Sequence, residues 1–186
     1  MPKSTFTRVR KKIDILRHEA GHLVIAKLLG FETGEIRFSQ KDAGAGVTLV
    51  PDLRDIEAIK QYVARRVVVL YAGVAAEALR GVTIDQQQAL KDFSSEVGMN
   101  DFAKIRELLL LLAGLESEDD DRQKLLDKYV EQYANRTGEL VQKHALTIHE
   151  VAKELAARIP AAGGHLSQSQ VDALSSVKKI EVGSEL

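Results

Sequence analysis

The sequence predicts a mainly α domain with a small β-hairpin or sheet near its first helix. Three observations predict it. Apolar residues recur at intervals of three and four through most of the chain. Two short segments, 35–39 and 46–50, carry β-branched or aromatic residues on either side of the glycine-bearing stretch 41–45. The first helical stretch also contains His18-Glu19-Ala20-Gly21-His22, a His-Glu-x-x-His pattern.

That first helix is expected over 15–29, with Asp14 as its N-cap and Gly30 just past its end. On a helix of about 3.6 residues per turn, side chains four apart diverge by only about 40°, so both imidazoles can reach one ion. His18 and His22 are therefore candidate zinc ligands. Glu19 lies about 100° around the helix from His18 and points toward water on the metal. Zinc lowers the pKa of such water to about 7, and a carboxylate beside it can take the proton, which makes Glu19 the candidate general base. The competing reading is a core histidine pair sharing a face with Ile15, Ile25 and Leu29, which would need several hydrogen-bond partners.

The 186 residues are 45% hydrophobic and 28% charged, enough for one domain with a sizeable core. Basic and acidic side chains number 26 and 27, leaving a formal net charge of −1 and no global field to recruit nucleic acid or an acidic membrane. Cysteine is absent, so zinc must be held by histidine and carboxylate, and a reducing cytoplasm is compatible with the composition. The longest apolar runs, 67–76 and 108–115, are shorter than the ~20 residues needed to span a bilayer, and the start lacks a signal-peptide layout. The expected location is cytoplasmic, without membrane insertion. The divisions expected are a flexible basic N-terminus over 1–12, one domain over 13–177 (13–115 around the metal helix, 116–177 as C-terminal helices), and a frayed tail over 178–186.

The hairpin at 35–50 reads either as an edge strand able to pair with an extended substrate backbone or as plain scaffold. A long helix follows over 52–79, with Ile56, Ile59, Val63, Val67, Leu70 and Val74 in register and Gly81 able to end it. Glu77 falls on its apolar face, where a carboxylate needs a partner. Zinc, or a ring nitrogen of a zinc-bound histidine, would provide one; a partly exposed Glu in the last turn is the alternative. A polar connection runs from Gln86 to Asn100 with a short helix expected over 89–97. Another helix begins near Asp101, whose place in the first turn suits the helix dipole with or without a metal. A zinc held by two histidines needs a third protein ligand to leave an open position, and here that ligand is a carboxylate.

The run 116–121 reads as a solvated acidic turn, and helices are expected over 122–135 and 138–159. His144 and His149 are five apart, about 140° around a helix, and are not assigned as ligands; His144 reads as a core or rim histidine. Residues 160–164 break the helix, and Ser167 with Gln170 forms a capping box for a last short helix through Leu174.

Three segments in order resemble the peptidase domain of the FtsH-like ATP-dependent zinc metalloproteases. They are His18-Glu19-Ala20-Gly21-His22, Tyr71-Ala72-Gly73-Val74-Ala75-Ala76-Glu77, and Gly98-Met99-Asn100-Asp101-Phe102. The resemblance spans about 13–175 and implies a zincin-like helical metallopeptidase fold with one zinc ion per chain. Carried over by residue, His18, His22 and Asp101 would bind zinc and Glu19 would be the base. Asp92 is the rival third ligand, because the connection after Gly81 is longer than in the family's usual pattern; the apolar positions after Asp101 favour Asp101. The family's membrane anchor and ATPase module are not expected in this chain, so the substrate would be peptides, loose polypeptide segments, or proteins delivered by a separate ATPase partner. The oligomeric state is left open by the sequence, a homo-oligomer included. Three functions stand: a zinc endopeptidase, a catalytically quiet binding protein on the same fold, and a metal-free helical interaction module.

Overall fold

The computed structural model describes residues 10–39, 43–48, 53–95, 98–116 and 122–185. The acidic stretch 117–121, most of the hairpin turn and the basic start before Arg10 lie outside them. Among the described residues the protein is mainly helical, with eight helices and a small antiparallel sheet.

Helix α1 (Lys12–Leu28) runs through the centre, packed on α2 (Ile56–Glu77) and α6 (Ala145–Arg158). Every residue from 18 to 26 is buried, so α1 presents no solvent face, and the one-sided stripe of a surface helix does not apply to it. It starts earlier than expected. Lys11 occupies the N-cap position without a side-chain cap, and Asp14 lies in the first turn. The cause is tertiary: Lys12 donates through Nζ to the carbonyls of Ala156 and Ile159 at the end of α6, which draws the first turn into helix. At the other end Gly30 takes φ 78°, a left-handed conformation that suits a residue without Cβ.

Strands β1 (Glu32–Phe38) and β2 (Ala43–Thr48) form the expected hairpin. A strand not foreseen, β5 (Gly164–Leu166), pairs with the other edge of β1, giving the order β2-β1-β5 and leaving β2 at an edge.

Helix α2 is the spine between two apolar clusters. Val68, Val69, Ala72, Ala75 and Ala76 face the cluster built with α1 and α6. Val63, Val67, Leu70 and Tyr71 face a second cluster with Ile105, Leu109 and Leu112 of α4 (Met99–Glu116) and Tyr129 of α5 (Arg122–Lys143). Asp55 caps α2 by accepting from Ala58 N at 2.8 Å, so the helix begins later than residue 52. After the two-residue strands β3 (Leu79–Arg80) and β4 (Thr83–Ile84), the short helix α3 is Gln86–Phe93 and not 89–97. Asp85 sets that earlier start by accepting from Gln88 N at 3.0 Å.

The expected break at 136–137 is absent. Helix α5 continues to Lys143 because Thr137, Leu140 and Val141 are buried, and the chain turns at His144. The tail is likewise not frayed over its described length. Gln170 accepts from Ser167 N at 2.9 Å to start α7 (Gln168–Asp172), and α8 (Ser175–Lys178) follows. Gly183 N and Glu185 N then donate to Lys27 O and Leu28 O, and Glu185 pairs with Lys143 and His144. No helix among the described residues is long and apolar enough to cross a membrane.

Candidate metal centre

His18 and His22 lie one turn apart on α1, their ring centroids 4.7 Å apart and nearly perpendicular. Both rings fit only because α2 presents a glycine to them. A Cβ at Gly73 would stand 2.6 Å from His18 Nε2 and closer still to His22 Nε2. Gly21 permits the same approach from α1, since a Cβ there would fall 2.5 Å from the Ala76 methyl and 2.6 Å from Ala72 O. The small-residue stretch of α2 is what lets the two helices come close enough to form the site.

Each ring is oriented from behind. His22 donates from Nδ1 to Val69 O at 2.7 Å; a carbonyl only accepts, so Nδ1 carries the proton and the Nε2 lone pair is left for an ion. His18 Nδ1 lies 3.3 Å from Glu77 Oε2, within ion-pair range though outside hydrogen-bond alignment.

In front of both rings stands Asp101, in the first turn of α4. Its Oδ2 lies 3.2 Å from His18 Nε2 and 3.3 Å from His22 Nε2. Gly98 places this turn: its N–H donates to Asp92 O at 3.1 Å and its carbonyl accepts from Phe102 N at 2.8 Å. Ligand atoms of His18, His22 and Asp101 all fall within 4.8 Å of one another, so the three could hold a metal ion. A tetrahedral site with bonds of about 2.0–2.2 Å separates its ligand atoms by about 3.3 Å, and the two distances from Asp101 match that edge. Two imidazoles and one carboxylate also suit zinc as a donor set.

The side chains of the cluster are coupled by charge. Burial disfavours the imidazolium of His18, but the hydrogen bond to Asp101, the neighbouring Glu77 and the charge of Glu19 outweigh it and raise His18 to about 9. Burial would raise Asp101, yet His18 and His22 hold its carboxyl far below the usual range. Glu77 is also lowered against the effect of burial, by His18 and Arg10. Shifts opposed in this way are those of a buried cluster in which imidazole and carboxylate groups stabilise each other's charged forms.

The structure thus brings His18, His22 and Asp101 together and puts Glu19, buried, on the same helix. Glu77 reaches the far side of the His18 ring, away from the Nε2 atoms, which is the place of a supporting residue and not of a ligand. Asp92 is buried elsewhere, accepting from Gln88 Nε2 at 2.7 Å, and is not part of the ligand group. Sequence reasoning missed three contributors: the Val69 carbonyl, the steric role of Gly73, and Arg10. The Ala-Gly and Ala-Ala steps in α2 were the signal for the second; the other two left none.

The chain matches no known family model and no curated protein.

Proposed function

We propose that this protein is a zinc-dependent endopeptidase acting on unfolded or flexible polypeptide segments. The observation that carries the reading is the near-equal approach of one Asp101 oxygen to both Nε2 atoms, with the Glu19 carboxylate buried on the same helix. His18, His22 and Asp101 would hold the ion, and Val69 O and Glu77 would keep the two rings turned toward it. Bound there, zinc would supply Lewis acidity, polarising a peptide carbonyl and acidifying water. Glu19 accepts the proton of the attacking water and returns it to the leaving amine. Across the reaction a C–O bond forms, the C–N bond breaks, and the elements of water are divided between the two products.

The enclosure of the site favours a second reading. The ligand side chains are only 6%, 10% and 14% exposed, as expected of a quiet binding protein that keeps a structural metal. The test is elemental analysis of the purified protein followed by digestion of an unfolded protein such as casein, with and without a chelator. Zinc near one per chain and chelator-sensitive cleavage support the peptidase. Zinc without cleavage, with candidate ATPases also added, supports the binding protein, and no zinc removes both.

A further inference from the structure

Glu77 is the last residue of α2 and has no solvent exposure. A carboxylate there faces two penalties, full desolvation and the negative end of the helix dipole. Arg10 answers both with a two-pronged contact: Nε donates to Oε1 at 2.9 Å and Nη2 to Oε2 at 2.5 Å. The planar guanidinium fixes the carboxylate in orientation as well as charge, which a lysine cannot do. Arg17, also close by, directs its guanidinium to the carbonyls of Glu77 and Leu79 and to Asp14. The Glu77 oxygen that receives Nη2 is the one facing His18 Nδ1. Contacts therefore run from Arg10 to Glu77 by hydrogen bonds, and from Glu77 to the His18 ring by an ion-pair approach, toward the point where the two Nε2 atoms and Asp101 converge.

We infer that Arg10 is a positioning residue for the metal, locking Glu77 behind the His18 ring so that Nε2 is held toward His22 and Asp101. This rests on the metal-site reading above. It also corrects the expectation of a flexible segment through residue 12: Arg10 is tied to the core, and Lys12 is already helical.

Cobalt(II) is the probe, because its visible bands report ligand geometry without reference to any catalysis. Outer-sphere partners of a metal ligand are worth about 10- to 100-fold in affinity. Arg10→Ala is expected to lose that much in competition with a chromophoric chelator, with altered cobalt bands, and added ethylguanidinium should recover part of both. Arg10→Lys keeps the charge and loses the fork, and should fall between wild type and Arg10→Ala. If Arg10→Ala fails to fold by far-UV circular dichroism, Arg10→Lys decides. A folded variant with wild-type affinity and bands overturns the inference, and so does failure of both variants to fold, which would make the role structural. Wild-type protein that takes up no cobalt overturns the metal site itself and this inference with it; wild-type uptake matched by the variants overturns only the role of Arg10.

Discussion

Gly73 faces His22 so closely that a single methyl on its Cα would occupy the space of the imidazole Nε2 atom. Alanine favours helix over glycine by about 1 kcal/mol, so Gly73→Ala should stabilise an exposed helix. Here the added methyl must displace one or both histidines. We expect a net destabilisation of about 1–3 kcal/mol, the usual range for overpacking, and loss of stoichiometric metal. Urea unfolding and elemental analysis of the variant read the two effects separately. A variant with full zinc would show that the rings can bind an ion from another position.

Asp101 and Asp92 compete for the third ligand position in the sequence, and their surroundings separate them. Asp101→Asn should weaken zinc binding by more than the roughly 10- to 100-fold typical of outer-sphere changes, whereas Asp92→Asn should leave it near wild type. Chelator competition measures both. The opposite ranking would assign the ligand to α3.

Glu19 serves the reaction and not the ion under the peptidase reading. Glu19→Gln keeps the size of the side chain and loses the base, so zinc content and melting temperature should stay close to wild type. Turnover should fall by about 10²- to 10⁴-fold, the usual worth of general acid-base catalysis. Undiminished cleavage by a purified, zinc-loaded variant would refute the assignment.

Away from the candidate metal site, Glu154 of α6 caps α8 by accepting from the hydroxyls and backbone N–H groups of Ser175 and Ser176, at distances up to 3.0 Å. The Ser176 hydroxyl and N–H, opposed by burial and helped to a smaller degree by Ser175, lower Glu154 from 4.5 to about 2. A carboxylate lowered in the folded state adds stability that is present above its unfolded value and lost as pH falls through the folded one. The stability gap between wild type and Glu154→Gln should therefore be full at neutral pH and shrink between about 4.5 and 2. Denaturant titrations across that interval check it; a gap that stays constant would mean the serines do not stabilise the charged form.

Local period determined what could be read directly. The four-residue spacing of His18 and His22 puts two rings on one side of any helix, whatever surrounds it. The Gly30 terminus of α1, the Ser167 and Gln170 start of α7, and the α2 periodicity are likewise local, because each depends on neighbours within one or two turns. So was the need for a partner at Glu77, since a carboxylate on an apolar face is costly wherever it falls.

Only the tertiary structure decided who the partners are. Arg10 meets Glu77 across 67 positions of sequence, and no repeat or spacing links them; Asp101, 83 positions from His18, was named only through the family resemblance, with Asp92 as its rival. The pairing of β5 with β1, the continuation of α5 through Gly138 to Lys143, and the docking of residues 183 and 185 on α1 were hidden for the same reason. Periodicity tells which face of an element is apolar but not which element will cover it. That is settled by close approach, here of a glycine on α2 to two imidazoles on α1, and close approach is a property of the packed chain.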